Sequence, residues 1–330
     1  MAVPGLGHKS YLQVGREAVW GTAVAATHRF GVKRMSIEPV IGAIRDEQLN
    51  DKPFRDALYQ GGLLYKGTVA MNLTYAGQML LFDGVFGTAT FGSNGGATSG
   101  VGPYTHTFNQ KALLNSYTLQ MIEGNILDTK CQRVDGAKIV GMRIRGESGT
   151  GELAILEVEF DFLAKDKTVN IAPTGSLTIQ NTAPVLYHQA TTVDNGIRTS
   201  SVSISSFEIE LPNPVHEDRF YLGAVNIDEP IRSNFSEPKW RFSAELQSDD
   251  ELEAADAFTT GTPQLIFTSG TTTMTFEMGE AKLIEYSNPV SNYGRIMQSF
   301  TWEGSGDGAG TESAFRLINV NAQATITTVT

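Results

Sequence analysis

The stretch "GAKIVGMRIRGESGTGELAILEVEFDFLAKD", residues 136–166, decides the fold. Val140, Met142 and Ile144 alternate with Arg143 and Arg145, and side chains two apart share one face of a strand. A Gly/Ser turn at 146–151 reverses the chain. The return strand puts Leu156, Val158, Phe160 and Phe162 on one face and Glu157, Glu159 and Asp161 on the other. The pattern predicts a long antiparallel hairpin with one buried and one wet face.

Upstream, "YKGTVAMNLTY" predicts a strand with Val69, Met71 and Leu73 together, and Met79, Phe82 and Phe86 follow at helical spacing. Tyr117, Leu119 and Met121 mark another strand, and residues 92–103 read as a glycine-rich loop. Residues 1–28 read as an irregular arm, and 38–62 as a long polar segment with a proline. Residues 170–195 resemble a linker, rich in Thr, Asn, Ala and Pro.

Beyond the linker the order repeats. Phe207, Ile209 and Leu211 alternate with Glu208 and Glu210, a second long polar segment runs over 213–238, and Trp240, Phe242 and Ala244 form the next apolar face. A short helix is expected with Leu252, Ala255 and Phe258 inward and Asp249 or Asp250 at its start. "TMTFEM" and a closing hairpin around "GSGDGAG" complete the second copy. Asp51–Pro53–Arg55 and Asp228–Pro230–Arg232 sit at the centres of the two long segments, spaced identically. Loops of that length are functional or ordered by a partner, so the repeated centre points to one surface met twice.

The totals of the 330-residue chain agree: 41% hydrophobic, 34 glycines and a formal charge of −11. An acidic chain disfavours specific DNA binding, which needs Lys and Arg against phosphates, yet suits a surface that must not grip a polyanion. Cys131 alone allows neither an intrachain disulfide nor a cysteine zinc site. No apolar stretch reaches membrane-span length, and the N-terminus lacks the apolar region of a signal peptide. His8, His28, His106, His188 and His216 are scattered, so no metal, cofactor or catalytic constellation is expected and the chain reads as a non-enzyme.

Three segments carry a resemblance. "VGREAVWGTAVAAT" (14–27), "YKGTVAMNLTYAGQMLLFDGVFGT" and the 136–166 hairpin resemble, in order, the opening, the strand–helix and the closing hairpin of the tail tube proteins of long-tailed, siphovirus-like bacteriophages. The match covers most of 11–167, and the second half joins through the internal repeat. The resemblance implies a mainly β fold of two tandem β-sandwich or half-barrel domains, each with a short flanking helix. The expected divisions are an arm at 1–28, domain one at 29–170, a linker at 171–195 and domain two at 196–330.

It also implies a virion protein, made in the host cytoplasm, that polymerises as stacked rings into a conduit for genome ejection. Two domains per chain make three copies sufficient for a six-domain ring. Its expected partners are itself and other tail proteins such as the tape measure, terminator and tail tip, with DNA passing unbound and no membrane insertion. Asp51, Pro53, Arg55, Asp228, Pro230 and Arg232 are the expected ring-stacking residues. Glu157, Glu159, Asp161, Glu208, Glu210, Glu245 and Glu277 are candidate lumen-facing acids. The rival reading is a β-rich virion decoration or surface-binding module that does not polymerise.

Overall fold

The computed structural model describes residues 7–45, 58–93, 103–124, 131–149, 154–175, 177–180, 183–197, 203–289, 296–306 and 314–322. The chain is mainly β, as its alternation predicts. The first half contains β1 (Tyr11–Arg16), β2 (His28–Gly31), β3 (Arg34–Arg45), β4 (Leu58–Asn72) and α1 (Met79–Phe86). It continues with β5 (Gly87–Ser93), β6 (Tyr104–Gln110), β7 (Tyr117–Ile122), β8 (Cys131–Glu147), β9 (Glu157–Ala164) and β10 (Asp166–Ile171).

The second half contains β11 (Ala190–Asp194), β12 (Ile204–Pro212), β13 (Lys239–Glu245) and α2 (Asp250–Asp256). Next come β14 (Thr260–Gly261), β15 (Gln264–Ser269), β16 (Thr272–Glu277), β17 (Glu280–Ser287), β18 (Met297–Ser305) and β19 (Arg316–Asn321).

These strands build two antiparallel sheets. The smaller runs β11-β15-β16-β19-β6-β5, and the larger holds the remaining thirteen strands. The larger sheet contains one run twice. β3 pairs β4, β4 pairs β9 and β9 pairs β8; then β12 pairs β13, β13 pairs β18 and β18 pairs β17. Within each run, a helix follows the second strand. The two four-stranded runs are joined head to tail, because Gly141–Glu147 of β8 pair with Ser206–Pro212 of β12.

One face of this sheet carries the core. Ile144, Ile209, Trp240 and Trp302 are cross-strand neighbours along it, and each is fully buried. The smaller sheet contributes Phe108, Phe267, Phe276 and Leu317 to the same cluster. All eight residues of α1 are buried, so packing rather than intrinsic propensity holds this short helix. Strand alternation places one apolar set inward, and that alternation is legible in the sequence.

Three expectations change. Within the expected arm, Tyr11–Arg16 form β1, which pairs β2 and β7. The strands flanking "GSGDGAG" do not form a hairpin: β18 pairs β13 and β17, while β19 pairs β16 and β6 in the other sheet. Its apolar face, Leu317 with Phe315 before it, fills the smaller sheet's side of the core. α2 turns only part of its expected face inward. Ala255 packs against the core as expected and Glu251 and Ala254 are buried, whereas Leu252 is 37% and Phe258 57% exposed. The Glu251 carboxylate accepts a bond from buried Asn195 (2.9 Å), which satisfies a polar group that would otherwise stay in water.

Candidate assembly surfaces

The opposite face of the larger sheet is a charge ladder. Directly opposed residues give the row Glu159, Arg143, Glu210, Lys239, Glu303 and Lys282 across six strands. The neighbouring row runs Glu157, Arg145, Glu208 and Arg241. Opposite charges across a strand pair attract, and the distances show it. Arg143 lies 3.1 Å from Glu159 and 3.3 Å from both Glu208 and Glu210. Arg145 lies 2.9 Å from Glu208, and Arg241 lies 3.3 Å from Glu208 and from Glu210.

Burial works to raise the Glu208 carboxyl, but Arg145, Arg143 and Arg241 together hold it below the ordinary value. Asp161 goes the other way. Burial pushes it up and Arg143 offsets only part. Six of the expected acids, Glu157, Glu159, Asp161, Glu208, Glu210 and Glu245, thus share one face of one sheet. Glu277 sits in β16 of the smaller sheet, paired to Arg316 at 2.6 Å. The interleaved cations Lys239 and Arg241 were readable beside Trp240 and Phe242 in "KWRFSAE".

Both long connections leave the same end of this sheet. The segment 213–238 exits β12 beside Gly141 and returns into β13 beside Glu303. The β3–β4 hairpin extends past Tyr65, the residue opposite the last of β9. There the second connection takes over the edge of β4. The Leu63 N–H donates to the Val225 carbonyl (2.8 Å), and the Ile227 N–H donates to the Leu63 carbonyl (3.1 Å). Ile227 is buried against Leu64 and Leu163, and Lys66 pairs with Glu217. The buried Lys138 ammonium reaches the Glu229 carboxylate (2.7 Å) and the Pro230 carbonyl (2.9 Å).

Apolar side chains stand exposed beyond these pins: Ile41, Ile44 and Leu58 on the hairpin, and Tyr221, Leu222 and Val225 on the connection. Of the expected stacking residues, Asp51, Pro53 and Arg55 lie outside the described residues. Asp228 accepts a bond from Arg219 (3.1 Å), and Pro230 holds Lys138. Arg232 lines a groove of about 830 Å³ with Lys111, Phe235 and Glu237. Burial lowers its pKa, and its Nε and Nη2 find no acceptor among the described residues.

The opening motif proves to be a brace. Buried Glu17 accepts bonds from the Gly21 N–H (2.8 Å), the Gly136 N–H (2.8 Å) and the Thr118 hydroxyl (2.9 Å). The Trp20 indole donates to the Gly136 carbonyl (3.0 Å), while Lys165 lies over its ring. Gly21 has φ +70°, a region that disfavours side chains, and the Lys165 stem occupies the space a Cβ would need. Three distant segments are thereby locked together: the opening, β7 and the hairpin of β8 and β9.

A family model described as "Phage tail tube protein" matches residues 7–304, from this brace through β18. The chain belongs to the phage tail tube protein family. No curated protein matches it. The tail tube protein is thus a structural component of the phage tail, and both four-stranded runs fall inside the matched range except for Ser305, the last residue of β18. Among its described residues no group of three or more His, Cys, Asp or Glu side chains is placed to hold a metal ion. No helix of the described tail tube protein is long and apolar enough to cross a membrane.

Proposed function

We propose that three copies of this tail tube protein close into a ring of six four-stranded units, and that such rings stack into the conduit for the genome. The head-to-tail joint of β8 and β12 carries the reading, because it joins two units of identical strand order. Among the described residues, a pair joined this way leaves β3 at one end and most of β17 at the other without an outer strand partner, and heterologous contacts of that kind close into rings where the rotation closes. Closure also removes the exposed edges that invite aggregation.

Each unit contributes one long connection at the same end of the sheet, so a ring would present six of them to the ring above. Arg55 and Arg232 would meet carboxylates there, and the unsatisfied Arg232 guanidinium supports this for the second loop. The ladder face would line the lumen, since the other face of the sheet is filled by core. Glu157, Glu159, Asp161, Glu208, Glu210 and Glu245 would then face the passing DNA. Their arginine rungs are already engaged by carboxylates, which leaves phosphate little to bind. The tape measure, terminator and tail tip are the partners this arrangement would meet.

End-on electron microscopy of the purified chain tests the ring. Six similar lobes with three-fold symmetry are expected. Full six-fold symmetry would double the domain count and overturn the use made of the two units. A chain that stays monomeric at every concentration would favour a decoration module.

A further inference from the structure

Resting on the ring reading, we propose that the joint between copies is β17 of one chain against β3 of the next, in the register of the internal β8·β12 joint. It would carry the internal joint's central ion pair with its polarity reversed. Among the described residues, β3 pairs only with β4. Among those same residues, the outer edge of β17 is paired by β14 only at Ala281 and Lys282, so Leu283–Ser287 have no strand partner on that side. β8 is arranged likewise. β7 covers it as far as Ala137, and β12 takes Gly141 onward. On β3 the matching limit is Ile37, whose carbonyl accepts a bond from the Lys167 ammonium (2.7 Å).

The register follows from the repeat. Gln78 and Asp249 stand at the start of α1 and α2, so the strands before them align with Ala70 at Arg241 and Thr68 at Lys239. Cross-strand partners then match Arg34 with Glu208, Ser36 with Glu210 and Arg143 with Glu285. Inside the chain Arg143 faces Glu210 and lies 3.3 Å from Glu208. Between chains Glu285 would face Ser36, with Arg34 in the place of Glu208. On the core side, Leu283 and Tyr286 would meet Ile37 and Met35, which continues the apolar layer across the joint.

The reversal gives the two joints separate identities. β8 against a foreign β3 would set Arg143 beside Arg34, and β17 against a foreign β12 would set Glu285 beside Glu208. Like charges at both wrong joints discriminate against them, a use of repulsion common where paired surfaces resemble each other.

A cysteine pair reads the joint directly. Ser36 and Glu285 are both exposed in the single chain, and the native Cys131 is buried. Opposed residues of an antiparallel pair are within disulfide reach. Assembled Ser36→Cys/Glu285→Cys protein, oxidised and run without reductant, should give covalent dimers and trimers that each single variant lacks. Three-fold rings seen in the microscope without these bands would overturn the joint alone. No rings from the unmodified chain would overturn the ring reading and the joint with it.

Glu285→Arg, which would face Arg34 of the neighbour, gives a second readout. It gives up the Thr301 hydroxyl's bond to Glu285 (3.0 Å), so the melting temperature should fall by a few degrees at most, while the concentration needed for rings should rise by roughly tenfold or more. Rings at unchanged concentration would count against the ion pair.

Discussion

Glu17 is a carboxylate buried in a chain whose other acids mostly line wet faces, and three donors from three segments explain it. Glu17→Ala would leave two backbone N–H groups and a hydroxyl without acceptors. We expect a loss of about 2–4 kcal/mol in urea unfolding, with secondary structure otherwise retained. At the ladder, Glu208 has a folded pKa below its ordinary value of about 4.3. Its contribution is therefore present above that value and lost as pH falls through the folded pKa. Asp161, raised by burial, has the opposite sign: its contribution is complete in acid and lost as pH rises through its raised folded pKa.

The melting-temperature gap between the unmodified chain and Glu208→Gln should thus narrow from pH 7 towards pH 3, whereas a constant gap would remove Glu208 from the pH response. Arg55→Glu with Arg232→Glu should leave the melting temperature within a few degrees and shorten tubes to isolated rings. Normal tube lengths would take both arginines out of the stacking contact. At this scale the sequence showed residue types but not partners. Alternation placed the acids on wet faces correctly, because period two is local. The arginines answering them come from strands well apart along the chain, 67 residues for Arg143 with Glu210, and only register reveals the pairing.

Among the elements, the hairpin of β8 and β9 and the strand–helix of β4 and α1 were legible because their apolar periodicity is strong. The sheet change at β19 was not. A glycine-rich turn between two alternating strands reads as a hairpin, and nothing local says which sheet the second strand joins. α2 misled for a similar reason, since its apolar residues suggested an inward face while a buried Glu251–Asn195 bond sets the real one. The connection 213–238 read as polar and long, yet it is pinned to β4 by backbone bonds and to β8 by Lys138. Lys138→Met keeps the stem and removes the ammonium. We expect faster amide exchange confined to 217–232, with strand amides of β8 unchanged. Equal exchange in that loop would show that the backbone bonds suffice alone.

For the whole molecule, composition and periodicity predicted the β class, and the larger sheet holds the same order of four strands twice. What the sequence could not show is that the two halves of the chain share both sheets, through β8 with β12 and through β19 with β6. Those pairings join residues far apart along the chain, where no local pattern reaches. The mass of an assembled ring is a compact test: three chains of 35.7 kDa give 3 × 35.7, or about 107 kDa. Native mass spectrometry of short assemblies should show odd as well as even multiples of that mass, and a series stepping only by six chains would contradict the stoichiometry.

The internal joint of β8 and β12 also bears on how quickly a ring can appear. A joint within one chain forms at an effective concentration set by the 171–195 connection and not by how much protein the cell has made. Half of the six joints would therefore exist before any two chains meet. In the proposed ring, formation would be an encounter of three bodies instead of six, and its rate would rise near the third power of concentration. A particle built from such a chain would start its tail early in synthesis, while subunits are still scarce.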